Sequence, residues 1–386
     1  FEQLPTVATP RRSHAEGWGY LMRWLTLFVL GCFGAAAAPA LAQNNYASLL
    51  AEGDVMLRDF RFGSGETLPE LRIHYATLGT PRRDAAGRIV NAVMVLHGTG
   101  GSGRQFLQPQ FADELYGPGQ PLDIRRYYII LPDGIGHGRS SKPSDGLRMR
   151  FPAYDYSDMV EAHRRMLVEG LGVNRLRLLM GTSMGCMHGF VWAEAHPEFL
   201  QAAMPMACLP VEIAGHNRMW RRAAVEGIRQ DPSWQDGNYT TQPVQGVRTA
   251  TSLLQVAGFA PLYLQRAYPD RGSAESYIVE RIARDIPTRD ANDLIYQLEA
   301  SRNYDPRPHL DRIKTPMTWV NSGDDFINPP DYGIAEETAR QMPSVRYILI
   351  RATTETRGHG THTWARFWRQ ELIDLLARTE VSDTSD

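Results

Sequence analysis

Cysteine, long apolar runs and an excess of charge of either sign are all scarce in this sequence of 386 residues. Its three cysteines are too few for the disulfide framework of a small secreted domain. Two of them, Cys186 and Cys208, are expected to be small buried thiols, with pairing in an oxidising compartment as the alternative. The formal net charge of -2 gives no reason to expect nucleic acid or an anionic membrane surface as a partner.

The N-terminal region carries the three parts of a secretory signal peptide. A basic start at residues 22–23 precedes an apolar run over residues 24–38, and Ala40-Leu41-Ala42 follows as a small-x-small cleavage site. The run is short for a bilayer span, which needs about 20 apolar residues. The pattern predicts a signal peptide over residues 22–42, a mature chain from Gln43, and a secreted or periplasmic protein without stable membrane insertion after cleavage.

The same region leaves alternatives open. The apolar run is also compatible with a buried helix or a membrane anchor. Residues 29–32 resemble a lipoprotein processing site around Cys32, although the apolar stretch before them is very short. Residues 1–21 are polar, have no clear period and begin without methionine, so we expect translation to start at Met22 and the segment to lie outside the fold.

Short apolar runs alternate with helical patterns through most of the chain. Residues 52–78 alternate apolar and polar side chains, which predicts a hairpin of edge strands. Further strands are predicted over residues 91–96, 127–131, 176–180, 202–207, 317–320 and 347–350, with helices over 156–171, 187–195 and 364–377. This alternation predicts a mostly parallel sheet with helices on both faces.

The domain organisation follows from where the alternation breaks. Residues 211–310 have mostly helical patterns, so we expect a helical cap inserted into a core formed by residues 43–210 and 311–386. Ligands of open α/β sheets bind at the carboxyl ends of the strands, and a cap there would form the roof of a pocket. Trp220, Trp234, Tyr239 and Tyr263 could line that pocket or pack in the core of the cap.

The segment Gly181-Thr182-Ser183-Met184-Gly185 fits the pattern G-x-S-x-G. It lies between a predicted strand and a predicted helix, and this context is typical of the nucleophile elbow of α/β-hydrolases. A turn this sharp holds the serine hydroxyl out at a helix N-terminus. Ser183 is therefore the predicted nucleophile, with a glycine-rich turn as the plain alternative. Cys186 is a weaker rival, because it falls in the first turn of the helix.

A serine nucleophile needs a base and an acid, which follow it along the chain in this fold. Asp324 and Asp325 follow one predicted strand, and His359 and His362 follow the next. The acidic pair could instead be a surface loop. Two histidines could bind zinc, but no third ligand lies nearby, so we expect neither a metal nor a cofactor.

A glycine-rich loop follows the strand that ends at Leu96. In α/β-hydrolases such a loop supplies one backbone N–H of the oxyanion hole, and the residue after the nucleophile supplies the other. The amides of Thr99 and Met184 are the predicted donors, although a plain turn would also contain these glycines. His137 precedes the nucleophile in the chain, so we expect it to shape its loop.

Several blocks together resemble the homoserine O-acetyltransferase family of the α/β-hydrolase superfamily, from about Phe60 to the last helix. They are residues 116–123, 181–187, 229–239, 290–294 and 325–330. The resemblance implies the α/β-hydrolase fold with a helical cap, Asp325 as the triad acid and His359 as the base, with His362 second.

Departures from that family bear on the reaction. Its transferases usually carry aspartate directly after the catalytic histidine, where Gly360 stands in this chain. We therefore expect a serine hydrolase that cleaves a small ester through a Ser183-His359-Asp325 triad, with O-acyl transfer as the alternative. The alternative outside the enzymes is a non-catalytic binding protein. Haloalkane dehalogenation is disfavoured, because it needs a carboxylate residue at the position of Ser183. The expected partner is a small acyl compound, and a homodimer stays open.

Overall fold

A computed structural model describes residues 45–380 of the chain. The predicted signal peptide and the segment before it lie outside the described residues. No helix within the described part is long and apolar enough to cross a membrane.

A single sheet organises the molecule, and eight strands within residues 45–380 form it. They are β1 (Ala51–Arg61), β2 (Thr67–Leu78), β3 (Ala92–Leu96), β4 (Tyr128–Pro132), β5 (Leu178–Thr182), β6 (Ala203–Met206), β7 (Met317–Ser322) and β8 (Val345–Ile350). Their order is β1-β2-β4-β3-β5-β6-β7-β8. The hairpin β1–β2 is antiparallel and joins β4 at one edge, whereas β3 to β8 run parallel.

Helices cover both faces of this sheet. The α-helices within residues 45–380 are α1 (Pro109–Leu115), α2 (Tyr156–Arg165), α3 (Met184–Ala195), α4 (Gly215–Arg229), α5 (Val244–Ala257), α6 (Pro261–Ala267), α7 (Arg271–Asp285), α8 (Ala291–Glu299), α9 (Ile334–Ala339) and α10 (Arg369–Arg378). Of these, α4 to α8 come from the chain between β6 and β7. The predicted strands agree with those observed to within two residues at each end. The last helix begins at Arg369, later than predicted, because short 3-10 turns occupy residues 358–367.

The strand residues explain why both faces are covered. Val93 and Val95 of β3 point into one apolar cluster, together with side chains of α1 and α10. Met94 and Leu96 of the same strand point into the other cluster, with side chains of α2 and α3. Because successive side chains of a strand face opposite ways, a continuous apolar run must be buried on both sides.

The chain between β6 and β7 forms the helices α4 to α8, with an apolar cluster of their own. That cluster includes side chains of α4, α5 and α8, with Trp234 between them. Helix α8 also contacts the loops that follow β4, where Asp293 accepts hydrogen bonds from Ser144 (2.9 and 2.6 Å) and Gln297 donates one to the Gly136 carbonyl (2.7 Å).

The expectation of two buried thiols is wrong, because Cys186 and Cys208 form a disulfide. Cys186 lies in the first turn of α3 and Cys208 just beyond β6, and their Cα atoms are 5.9 Å apart. Both residues are buried, at 0 and 1% exposure. The sequence separation of 22 residues gave no sign of this proximity, which results from the pairing of β5 with β6. Disulfides of this kind are typical of oxidising compartments.

We predict that reducing this disulfide lowers the free energy of unfolding by about 3 kcal/mol, because a closed loop of this length restricts the unfolded chain. Equilibrium urea unfolding with and without a phosphine reductant measures the difference. The double variant Cys186→Ala/Cys208→Ala is the control, since its midpoint should not respond to the reductant. An unchanged midpoint for the parent protein would contradict the prediction.

Candidate active site

Ser183 lies at the junction of β5 and α3, in a backbone conformation that is rare outside glycine. Its φ and ψ angles are 54° and −111°. Such a conformation costs on the order of 1–3 kcal/mol and persists only where the surrounding structure enforces it. The enforcing contacts include a hydrogen bond from the Ser183 amide to the Met206 carbonyl (2.8 Å).

Two glycines beside Ser183 make this turn possible. A Cβ on Gly181 would lie 2.0 Å from the Gly185 carbonyl oxygen, and one on Gly185 would lie 2.3 Å from the Leu96 carbonyl oxygen. Both distances are far below a van der Waals contact, so no other residue fits either position. The physical demand behind G-x-S-x-G is therefore the close approach of β3, β5 and α3.

The structure brings Ser183 together with His359 and Asp325. The Ser183 Oγ lies 2.8 Å from His359 Nε2, and His359 Nδ1 lies 2.9 Å from Asp325 Oδ2. Asp325 follows β7 and His359 follows β8, so both come from loops at the carboxyl edge of the sheet. With Nδ1 donating to the carboxylate, Nε2 is free to accept the serine proton.

Asp325 is held as a buried carboxylate. It is 2% exposed and accepts hydrogen bonds from the amides of Ile327 (2.8 Å) and Asn328 (3.1 Å) and from the Asn328 side chain (3.0 Å). Burial alone raises the pKa of Asp325, but the attraction of His359 and the Asn328 donors outweigh it and lower that pKa below its usual value. The carboxylate therefore stays charged at neutral pH and orients the imidazole.

Asp324 was the alternative to Asp325, and His362 was the alternative to His359. Both have other partners. Asp324 accepts hydrogen bonds from the Gly358 amide (3.0 Å) and from the side chains of Thr356 (2.7 Å) and Ser322 (2.6 Å). It thus fixes the loop that carries His359. His362 donates its Nδ1–H to the His359 carbonyl, and burial together with His359 lowers the pKa of His362 to about 3.

The predicted oxyanion donors lie on the two segments that meet at Ser183. The Gly185 amide donates to the His97 carbonyl (3.1 Å), which ties the loop after β3 to the first turn of α3. A Cβ on Gly98 would lie 3.2 Å from the Ser183 Cβ, so the loop passes close to Ser183. Within residues 45–380, neither the Thr99 nor the Met184 amide donates a loop or cap hydrogen bond, so both remain available to a ligand.

A group of buried imidazoles lies beneath this loop. We call His97, His137, His163 and His188 the buried histidine cluster, and each is at most 2% exposed. The rings of His97 and His137 are 5.0 Å apart, and Gly134 donates its amide to His97 Nε2 (3.0 Å). Burial lowers the pKa of every member, to about 3 for His163, so all are neutral at pH 7. His137 therefore packs under the site rather than lining it, consistent with its expected loop-shaping role.

A cavity of about 590 Å³ opens over Ser183 and His359. Trp220 and Tyr263, two of the cap aromatics noted in the sequence, line it. Trp234 is instead buried in the apolar cluster of the cap, and Tyr239 packs against that cluster. In the described part of the chain no group of three or more His, Cys, Asp or Glu side chains could hold a metal ion.

Sequence reasoning missed two kinds of residue at this site. Asn328 contacts both Asp325 and the Ala207 carbonyl (3.2 Å), and only its spacing of three from the acid could have signalled this. Arg221 and Arg289 line the cavity from the cap. Both are embedded in segments rich in other arginines, so nothing in the sequence distinguishes them from surface residues.

Comparison with known proteins agrees with this architecture. The profile of the alpha/beta hydrolase fold family matches residues 91–354. A homoserine O-acetyltransferase of Pelobacter propionicus is 28% identical over 343 residues, which cover 78% of this chain and 90% of the relative.

Solved structures share the fold at low sequence identity. Esterase E22 superposes with a TM-score of 0.74 at 18% identity, over 85% of this chain and all (100%) of that one. The homoserine O-acetyltransferase from Bacillus anthracis gives a TM-score of 0.74 at 21% identity, over 85% of this chain and 98% of that one. The predicted fold class is confirmed, as is the likeness to homoserine O-acetyltransferases.

The buried histidine cluster predicts that stability falls on acidification. In the unfolded chain these imidazoles have pKa values of about 6.5. Below that pH the unfolded state therefore binds more protons than the folded state. Each imidazole that stays neutral in the folded state then lowers the free energy of unfolding by up to about 1.4 kcal/mol for each pH unit of acidification. Asp293, whose pKa is raised by burial to about 7, opposes this as a single group.

The melting temperature should therefore be flat above about pH 7 and fall steadily from pH 6.5 towards pH 4, as followed by intrinsic tryptophan fluorescence. The variant His163→Leu is the matched test, because both ring nitrogens of His163 are buried without a hydrogen-bond partner among residues 45–380. Its melting temperature should fall less steeply with pH. An unchanged melting temperature between pH 7 and pH 5 would rule out this account.

Proposed function

Because this chain belongs to the α/β-hydrolase fold family, we propose that it is a serine hydrolase that cleaves a small carboxylic ester through a covalent acyl-enzyme. The chain is an enzyme of hydrolase or acyltransferase type, and the proposal concerns the reaction it performs. The observation that carries the proposal is the 2.8 Å contact between Ser183 Oγ and His359 Nε2 at a strained strand-to-helix turn. A strained non-glycine residue with an imidazole in contact is the signature of an activated nucleophile.

In the first half of the proposed reaction, the Ser183 oxygen attacks the ester carbonyl while its proton moves to His359 Nε2. Asp325 stabilises the imidazolium that forms and keeps Nδ1 as the donor. The negative charge on the carbonyl oxygen is met by the amides of Thr99 and Met184, each an unused donor. His359 then protonates the leaving alcohol, and the acyl group stays on Ser183.

In the second half, water replaces the alcohol in the cavity. His359 takes a proton from this water, whose oxygen attacks the acyl carbonyl, and the same amides hold the oxyanion. The bond to Ser183 breaks as His359 returns its proton to the serine oxygen. General base catalysis contributes about 10²–10⁴-fold, and each oxyanion donor about 10²–10³-fold.

Acyl transfer is the second candidate, favoured by the similarity to a homoserine O-acetyltransferase. Both candidates share the acyl-enzyme and differ only in what attacks it. Gly360, which lines the cavity beside His359, supports hydrolysis, because the transferases that this chain resembles usually carry an aspartate there for the amino group of the acceptor. A glycine offers no charge to that group.

We predict that Ser183→Ala lowers kcat/KM for p-nitrophenyl acetate by on the order of 10⁴-fold or more, since the covalent route is lost. The variant should also escape labelling by a fluorophosphonate probe. Ser276→Ala is the matched control, because Ser276 is an exposed serine on α7. Near-parental turnover by Ser183→Ala, or no labelling of the parent protein, would end the proposal and favour a non-catalytic binding protein.

Product analysis separates hydrolysis from transfer. With p-nitrophenyl acetate and a low concentration of homoserine, we expect acetate as the main product, because water reaches the acyl-enzyme and no acidic side chain lies at position 360. Chromatography of the reaction gives the ratio of acetate to O-acetylhomoserine. The variant Gly360→Asp tests the cause, since it should raise the share of transfer product. Mainly O-acetylhomoserine from the parent protein would reverse the assignment.

A further inference from the structure

The charged side chains that line the cavity over Ser183 are all positive. Within residues 45–380, the side chains that line it include Arg221, Arg281, Arg289 and Arg357 and no aspartate or glutamate. Arginine stays protonated in proteins, so the cavity presents several fixed positive charges next to the nucleophile. A pocket for a neutral ester needs none of them.

Two of these arginines are already engaged by the protein. Arg357 donates to the carbonyl oxygens of Glu355 and Thr356, and its guanidinium lies 3.6 Å from the centre of the Tyr263 ring. Arg281 donates to the Tyr277 hydroxyl. These contacts give Arg357 and Arg281 structural roles, although the Nε of Arg281 has no partner in the described part of the chain.

Arg221 projects from α4 and is 3% exposed. Its Nε donates to Asn217 (2.9 Å) and its Nη1 to the Ser301 hydroxyl (3.5 Å), but no described residue forms an ion pair with it. The nearby Glu299 pairs with Arg218 instead (2.9 Å). A buried guanidinium without a carboxylate is costly unless a ligand supplies the opposite charge.

Arg289 lies on the other side, beside the oxyanion loop. A Cβ on Gly100 would be 2.9 Å from Arg289 Nη1, so this guanidinium is directly next to the residue that follows Thr99. Its Nε is buried without a hydrogen-bond partner among residues 45–380, and no described residue forms an ion pair with it. Asp285, the acid whose charge acts on Arg289, accepts a hydrogen bond from Gln255 and lies 3.8 Å from the Arg284 guanidinium.

Four polar side-chain groups of the cavity have no partner in the described part of the chain, and three of them are N–H donors, the fourth being the Thr99 hydroxyl. Besides Arg289 Nε, the Trp220 Nε1 and the Arg281 Nε are buried without a partner in the described part of the chain. A carboxylate is the complement of such a surface, because it has acceptors only and binds guanidinium groups in a charge-assisted, often bidentate manner.

We propose that the ester this enzyme takes carries a free carboxylate, which Arg221 and Arg289 bind while its ester carbonyl lies over Ser183. The inference rests on the proposed function and names its substrate class, a half-ester of a dicarboxylic acid or the ester of a hydroxy acid. The cap arginines then select the substrate, whereas Ser183, His359 and Asp325 perform the chemistry.

Two pairs of esters of matched shape test this inference. Monomethyl succinate is compared with methyl isocaproate, and acetoxyacetate with isobutyl acetate, so that the charge lies on the acyl side in one pair and on the alcohol side in the other. In at least one pair the parent protein should favour the charged ester by about tenfold or more in kcat/KM, the size expected for hydrogen bonds to a charged group.

Arg221→Gln and Arg289→Gln should each lower that preference by about tenfold. Arg222→Gln is the matched control, because Arg222 lies on the same helix, is exposed and pairs with Glu226 (2.7 Å). Succinate should inhibit p-nitrophenyl acetate hydrolysis competitively, and its inhibition constant should be higher in Arg289→Gln than in the parent protein. This second measurement keeps the test decisive if Arg221→Gln does not fold.

The outcomes are distinguishable. Turnover of the neutral esters without any preference for the charged ones, or a preference that survives both substitutions, would overturn the carboxylate site and leave the proposed hydrolase intact. Failure of the parent protein to hydrolyse any ester, together with no fluorophosphonate labelling, would instead remove the proposed function itself.

Discussion

The close approach of three backbone segments around Ser183 is the constraint from which the rest of the site follows. Carbonyl oxygens of Leu96 and Gly185 lie within 2.3 Å of where the Cβ atoms of Gly185 and Gly181 would be, and this packing holds Ser183 at a positive φ. The serine side chain cannot relax into the sheet or the helix without separating these segments. Its hydroxyl is therefore presented at the sheet edge before any substrate arrives, which is the condition for efficient attack.

The partners of Ser183 are fixed by a second set of contacts, which join loops rather than strands. Asp324 binds the Gly358 amide and so positions the loop of His359, while Asn328 joins Asp325 to the Ala207 carbonyl. The disulfide links the first turn of α3 to the residue after Ala207. Ser183, Asp325 and His359 are thus held close together at neighbouring carboxyl ends of the sheet by contacts between loops.

The cap adds a different property, which is charge. Its helices pack around an apolar cluster of their own, and Arg221 and Arg289 line the same cavity as Ser183. Beneath the loop after β3 the buried histidine cluster stays neutral, so the positive charge is on the cavity side of Ser183. On the proposals made above, the chemistry belongs to the loops of the sheet and the selection of substrate to the cap, as in a scaffold whose variable insertion tunes a common reaction.

The sequence by itself determined the alternation of strands and helices, the elbow at Ser183 and the order in which an acid and a base follow it, because each depends on residues close together in the chain. The family resemblance had already chosen Asp325 over Asp324, whereas only the tertiary structure paired Cys186 with Cys208 and separated Trp220 in the cavity from Trp234 in the cap core. Those outcomes depend on distances between residues far apart in sequence, and sheet pairing and helix packing fix such distances. A local pattern carries no information about them.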